Sequence, residues 1–331
     1  METIRWGILG AGRIAATMAE DFQHVGHADL VAIGSRSAAK AEAFAARYAI
    51  PTAYGSYGEL LDDPTIDVVY IATPHPQHHG LALAAIERGK AVLVEKAFTA
   101  TLAGAREVIE VARARDVFCM EAMWTRFLPA VAAAREIVAW GRIGDVLGAS
   151  GDLYAQRAYD PGDRLFSPEL GGGSLLDLGV YAVSFANAFL GSARSVHCEG
   201  RYAPNGVDQA AAITIKHRAG GLSALTCALD GFGPARMTIL GSKGWLEVEP
   251  RFHHPTTISI HRNGILPRVI EVKPHGRGYA HEIAEVTQLV AGGHTESATM
   301  PLADTLEVMR ILDDCLTQLG IEHREAPVSL G

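Results

Sequence analysis

The most constraining feature of this chain is the way its first part alternates. Unbroken apolar runs, "IRWGIL", "LVAIGS", "DVVYIAT", "AVLVEK" and "VFCM", are separated by Ala-rich helix candidates near 13–24, 37–48, 77–88 and 101–115. A strand that is apolar at every position, rather than every second one, must be covered on both faces. Parallel strands joined by crossover helices achieve that cover. The expected fold of this part is therefore α/β, a doubly wound parallel sheet. Beyond residue 140 the style changes. Strand-like segments follow one another at 145–154, 194–203, 208–217, 221–230, 236–240, 244–249, 256–261 and 268–272. Turn signals such as "RAGG", "GSKG" and "HRNG" separate several of them. That predicts an open, largely antiparallel sheet with helices near 173–190, 279–291 and 303–319 on one face, an α+β domain. The expected division is 1–121 and 122–331.

Composition narrows the classes. With 331 residues the chain is long enough for two cores. A net charge of −8 weighs against nucleic acid or an acidic membrane as main partner. No run of about 18 apolar residues is free of charge, so no membrane span is expected. "METIRWGIL" lacks the apolar core and cleavage site of a signal peptide. Cys119, Cys198, Cys227 and Cys315 are far apart and without CxxC spacing. They read as buried free thiols of a reducing cytoplasm.

The segment "GILGAGRIAATM" places Gly10-Ala11-Gly12-Arg13-Ile14-Ala15, a GxGxxA pattern, between the first strand and the first helix. Gly10 permits the tight turn, Gly12 lets a pyrophosphate approach the backbone, and Ala15 allows close helix–strand packing. The helix N-terminus then faces the phosphates. In this strand–turn–helix context the expected reading is a dinucleotide site, the alternative being a plain turn. NAD binders usually carry an acid about 20 residues on, accepting from the ribose 2′-OH. Here "AIGSRSAAK" offers Ser35, Arg36, Ser37 and Lys40 instead. An Arg fork and hydroxyls suit a 2′-phosphate that a carboxylate would repel, so NADP is the expected cofactor, with NAD possible. The alternative is that Arg36 and Lys40 only solvate the start of a surface helix.

The stretch "VVYIATPHPQHHGLALAAIERGKAVLVEKAF" gives a strand, Thr73-Pro74, His78 at a helix start, and a strand ending in Glu95-Lys96. "GGGSLLDLGVY" follows at 171–181. Together with the glycine loop, these segments resemble the glucose-fructose oxidoreductase / inositol dehydrogenase / rhizopine-catabolism (Gfo/Idh/MocA) family. "MEAMWTRFLPA", at 120–130, resembles the branch of dimeric dihydrodiol dehydrogenases and NADP-dependent xylose dehydrogenases. The resemblance implies a catalytic Lys96 and a Glu95 that holds it or touches the nicotinamide ribose. Thr73, Pro74, His75 and His78 are implied to flank the cofactor, although many relatives have Asn where this chain has His75. Asp177 and Tyr181 are implied as the second catalytic pair, four apart on one helical face. Tyr181 would act as general acid/base beside Lys96, and Ser174 would cap their helix. The family follows its lysine with proline, often after a cis peptide. Here Ala97 stands in that place, and the sequence leaves the geometry of bond 96–97 open.

Candidate substrate contacts are Trp124, as a stacking wall or a core residue, and Arg126, as a hydroxyl-binding fork. Others are Arg157, Arg164 and Phe166 ahead of the glycines, and Tyr279 at a helix start; Arg164 can equally pair with a nearby Asp. "HPQHH" has no carboxylate or Cys beside it, so no metal is expected. The reading is an NADP-dependent oxidoreductase moving hydride between nicotinamide and a sugar, cyclitol or vicinal diol. By resemblance it is a homo-oligomer through the open face of the second sheet. The rivals are a non-catalytic NADP-binding regulator of the same fold and an imine- or biliverdin-type reductase, in which Tyr181 would be dispensable.

Overall fold

The computed structural model describes residues 2–331. Two compact units emerge. The first holds the residues up to Trp124, with His275–Leu302 and Glu325–Gly331; the second holds Thr125–Pro274 and Ala303–Arg324.

In the first unit the chain runs β1 (Ile4–Leu9), α1 (Arg13–Asp21), β2 (Ala28–Gly34), α2 (Ala38–Tyr48), β3 (Thr52–Tyr54), α3 (Tyr57–Asp62), β4 (Val68–Ile71), α4 (His75–Glu87), β5 (Ala91–Glu95), α5 (Leu102–Ala114) and β6 (Cys119–Ala122). The six strands lie in the order β3-β2-β1-β4-β5-β6. Every pairing is parallel. All residues of β4 and β5 are buried, as the unbroken apolar runs require. Strand order reverses between β1 and β4, and ligands bind at such a switch point, beyond the carboxyl ends of the strands. The short β3 and α3 have too little periodicity to be read in sequence. Ser56 and Glu59 nevertheless form a full capping box at α3.

The expected division at 121/122 differs from the structure at the carboxyl side. The segment carrying α8 (Ala280–Ala291) belongs to the first unit, and Asp21 explains why. Its buried carboxylate accepts from the amides of Arg277 (2.8 Å), Tyr279 (2.8 Å) and Ala280 (3.0 Å), which caps α8 across 259 residues of chain. Trp6 Nε1 donates to Thr287 Oγ1 on α8 at 3.3 Å. The carboxyl-terminal tail returns as well. Glu325 accepts from the amide and hydroxyl of Thr101 at 2.8 and 2.7 Å, and Gly58 N donates to Leu330 O. Caps supplied from so far away leave no local signature.

The second unit contains α6 (Pro129–Ala139), β7 (Val146–Tyr154), α7 (Val180–Leu190), β8 (Ala193–Tyr202), β9 (Asp208–His217), β10 (Leu222–Ala228), β11 (Met237–Gly241), β12 (Gly244–Val248), β13 (Thr257–Arg262) and β14 (Ile265–Glu271). Its last element, α9, begins at the unit boundary and spans Leu302–Gln318. The sheet order is β14-β13-β12-β11-β7-β10-β9-β8. All pairs are antiparallel except β7 with β10. Burial alternates along β9 and β10, so one face is covered and the other open. α7 packs on β7 and β10. Glu307 and Gln318 of α9 accept from backbone amides of β8. By length and composition the helical run Pro168–Leu190 could cross a membrane, with mean hydropathy 1.3, but 83% of its most apolar stretch is buried in the protein, as in a core helix. The four cysteines are free and buried.

Candidate active site

The glycine loop builds the first part of the site. Gly10 has φ +105°, and a Cβ there would lie 2.9 Å from the Ala72 carbonyl oxygen. Only glycine fits that turn. A Cβ on Gly12 would meet nothing nearer than 4.0 Å, so its backbone stays approachable. α1 starts at Gly12 without a side-chain cap, while Ala15 is fully buried against the sheet. A cleft of about 430 Å³ opens here, lined by Gly10, Ala11, Gly12, Ser35, Arg36, Ser37, Lys40, Tyr57, Ala72, Thr73 and Pro74. None of these is acidic and two are cationic. Ser35 Oγ accepts from Ser37 N at 3.3 Å, and Ser37 Oγ caps α2 through Lys40 N at 3.4 Å. Burial pushes the Tyr57 hydroxyl up, and the Arg36 guanidinium hydrogen-bonded to it partly offsets this. Tyr57 therefore steadies the Arg36 fork. A wider groove of about 760 Å³ adjoins, bordered by Arg13, Lys40, Arg47 and Arg277. The cradle fits a dinucleotide: open backbone for pyrophosphate, hydroxyls and cations for the ribose end. Ile14 lies in the first turn of α1.

The second part lies at the end of β5. Glu95 is 5% exposed. The buried Tyr70 hydroxyl donates to its Oε1, and its Oε2 accepts from the Lys96 amide at 3.1 Å. Burial first, and the Glu95 charge second, push the Tyr70 phenol well up, so it stays a donor. The Lys96–Ala97 peptide is cis. His78, fully buried at the start of α4, faces Thr73 O at 2.7 Å and Ala97 O at 3.0 Å with its two ring nitrogens. It thereby ties the loop after β4 to the loop after β5. His75, also buried, meets the His78 ring edge-on at 5.7 Å. His79 pairs instead with Glu107 at 2.8 Å. Glu282 of α8 is buried nearby; burial, with Glu95 and Asp21 after it, holds its carboxyl well above the usual range. Trp124 stacks on Tyr279 at 4.4 Å with 6° between the planes, and both rings are buried.

In the second unit, Gly171, Gly172 and Gly173 lead into a π-helical turn, Leu175–Gly179, that runs on into α7. Such turns are frequent at functional sites. Asp177 sits in the π turn and Tyr181 in the first turn of α7. Arg164 Nη2 pairs with Asp177 Oδ1 at 3.0 Å. Tyr181 is 8% exposed, and its ring meets that of His253 at 5.4 Å. Ser174 is not the cap expected of it. It is itself helical and donates its hydroxyl to buried Asp208 at 2.8 Å. Asp208 Oδ2 also takes the Leu175 amide, at 2.6 Å.

Three expected substrate contacts have other engagements. Arg126 is 4% exposed and donates from Nε to Ser184 Oγ (3.0 Å), from Nη2 to Ser184 O (3.0 Å) and from Nη1 to Asp304. Its fork clamps α7 to α9. Phe166 is fully buried, edge-on to Tyr159 at 5.2 Å. Arg157 is exposed and donates to Gln156 O at 2.9 Å. Sequence reasoning missed Tyr57, Tyr70 and Asp208. Tyr70 left a trace as the one polar-tipped residue of an aliphatic strand; Tyr57 left none.

The match with known proteins fits this geometry. Residues 4–123 match the model of the oxidoreductase family with NAD-binding Rossmann fold, and residues 131–247 match the GFO/IDH/MocA C-terminal domain. The chain belongs to the Gfo/Idh/MocA family and is an NAD(P)-dependent oxidoreductase. Within that family it is similar to trans-1,2-dihydrobenzene-1,2-diol dehydrogenases. The mouse protein is 34% identical, over 96% of this chain and 97% of that one. The Danio rerio protein is 33% identical, over 97% and 98%. Among solved structures, the 3-ketoreductase KijD10 of Actinomadura kijaniata with NADP and TDP-benzene matches with TM-score 0.83 and 25% identity, over 96% and 98% of the two chains. A levoglucosan dehydrogenase complexed with NADH and levoglucosan matches with TM-score 0.88 and 20% identity, over 96% and 97%.

Proposed function

We propose that this protein is an NADP-dependent dehydrogenase that oxidises one carbinol of a vicinal diol or sugar, or reduces the matching ketone. The observation that carries the reading is in the first unit. One sheet presents an acid-free, cation-lined dinucleotide cleft at the ends of β1 and β2, and a lysine at the end of β5. A bound nicotinamide supplies the two-electron acceptor or donor. The chain's own residues hold the substrate and move the proton. In this reading the Lys96 ammonium donates to the substrate oxygen and stabilises the alkoxide that develops there. Tyr181 accepts the hydroxyl proton in the oxidative direction and returns it in the reductive one. Asp177, steadied by Arg164, orients the hydroxyl. Glu95 fixes the Lys96 backbone through its amide. The names of the relatives, on diols and on sugars, agree with this substrate class.

Two copies would pair through the open face of the second sheet. There Leu222, Leu240 and Trp245 are exposed in one cross-strand row with Gly148, an apolar row that such pairing would cover.

Lys96→Met tests the catalytic assignment. With NADP and a panel of pentoses, hexoses, inositols and cyclic trans-diols, wild type turns over at least one class. The variant loses turnover while nicotinamide fluorescence still reports NADPH binding. Turnover at the wild-type rate in the variant would remove Lys96 from the mechanism.

A further inference from the structure

The acid that organises the start of the Asp177–Tyr181 segment comes from another element. Asp208 opens β9, is fully buried, and directs Oδ2 at the Ser174 hydroxyl (2.8 Å) and the Leu175 amide (2.6 Å). Gly173 is shaped for it. At φ +128°, a Cβ there would sit 2.0 Å from Asp208 Oδ1. Cys227 of β10 closes the cluster, its thiol donating to Ser174 Oγ at 3.5 Å. We propose that Asp208 is a positioning residue for hydride transfer, holding as a carboxylate the start of the helical run that carries Asp177 in its π turn and Tyr181 in the first turn of α7. This rests on the roles given above to that pair.

The physical case has three parts. The first N–H groups of a helical run have no intrahelical partner and carry partial positive charge, so an anion there both satisfies and orients them. A charged acceptor makes shorter and stronger bonds than a neutral one. Protonation weakens both bonds at once, because both donors share one oxygen. Burial raises the carboxyl to about 6, against the lowering effect of the Leu175 and Ser174 hydrogen bonds. Two thiols interact with it electrostatically, and Tyr202 of β8 pairs with it across the ladder. Cys227 is pushed up to about 12 by burial, and Cys198 of β8 is lowered by its hydrogen bond with Cys315.

The experiment uses the full chain with NADP and two probes, D-xylose and trans-cyclohexane-1,2-diol. Asp208→Asn keeps an acceptor oxygen but removes the charge. Its kcat is expected to fall on the order of 10²-fold at pH 8, the scale for small misplacements of reacting groups. NADPH affinity stays within about twofold, and the acid limb of the kcat profile near pH 6 disappears. Wild-type kcat in this variant, or an unchanged acid limb, would overturn the proposal. Hydrogen exchange of the peptide covering 172–182 supplies an arm that needs no turnover. Asp208→Ala and Ser174→Ala should quicken it while leaving β4 and β5 protected. Exchange equal to wild type in both variants would also overturn the proposal. If wild type oxidises neither probe nor any of the wider panel, the dehydrogenase reading fails, while the exchange arm still decides the clamp.

Discussion

A buried carboxylate that accepts two hydrogen bonds usually stabilises a fold more as pH rises; Asp208 is expected to do the opposite. Its carboxyl stands at about 6 in the folded protein, against an ordinary 3.8. Between those values the folded chain holds more protons than the unfolded one, so unfolding releases protons and stability falls as pH rises. The stabilisation is complete below about pH 4 and is lost by the time pH passes 6. At about 1.4 kcal/mol per pKa unit, the full cost of keeping Asp208 charged is about 3 kcal/mol. About 2 kcal/mol of that falls between pH 4.5 and pH 8. In Asp208→Asn this dependence is gone. The asparagine NH₂ would face the side where Oδ1 has no partner, a penalty of about 1–3 kcal/mol that is the same at every pH. The informative quantity is therefore the change, with pH, of the difference between variant and wild type. Thermal unfolding of both proteins, followed by circular dichroism from pH 4.5 to 8, reads it directly. Relative to wild type, the Tm of Asp208→Asn should rise by roughly 4–8 °C across that range, at about 2–4 °C per kcal/mol for a domain of this size. A Tm difference that stays constant with pH would refute the reasoning, because all other titrations are common to both proteins.

Three further outcomes are expected. Arg36→Ala removes a charge-assisted fork from the acid-free end of the dinucleotide cleft, so KM for NADP should rise about 10- to 100-fold while KM for NAD hardly moves. An equal effect on both cofactors would place Arg36 outside the 2′-phosphate site. Arg126→Ala should lower stability by about 2–3 kcal/mol, since it strips Ser184 and Asp304 of their shared donor. KM for the substrate should be unchanged, and a stable variant with a raised KM would put Arg126 back in the pocket. Glu282→Gln should gain stability relative to wild type as pH rises above the ordinary carboxylate range, because burial holds the folded Glu282 carboxyl well above it. The folded acid stays protonated where the unfolded one has ionised, so wild type loses stability as pH rises there. A difference that shrinks with pH would mean Glu282 is charged in the folded protein.

The sequence by itself determined the elements whose reasons are local. Unbroken apolar runs in β4 and β5 can only be strands covered on both faces, and Gly10 and Gly12 can only serve a close turn at a helix start. Lys96 was singled out by its resemblance to the family's lysine, and the sequence also shows it just past an apolar strand, at the end where ligands bind in such sheets. Asp177 and Tyr181 were singled out by the family-like motif that carries them. What the tertiary structure decided concerns groups that act across long stretches of chain. Trp124 spends one face on Tyr279, and Arg126 is consumed by Ser184 and Asp304; a fork that binds sugar and a fork that clamps two helices are spelled the same way. The two-unit division could not be cut at one point, because α8 takes its cap from Asp21. Ser174 reads as a helix cap, yet the cap is Asp208, 33 residues beyond the amide it accepts from. Periodicity and turn chemistry are short-range and leave their mark in neighbouring residues. Hydrogen bonds to buried charges are satisfied by whatever the fold brings within 3 Å, and that is fixed only when the sheets have closed.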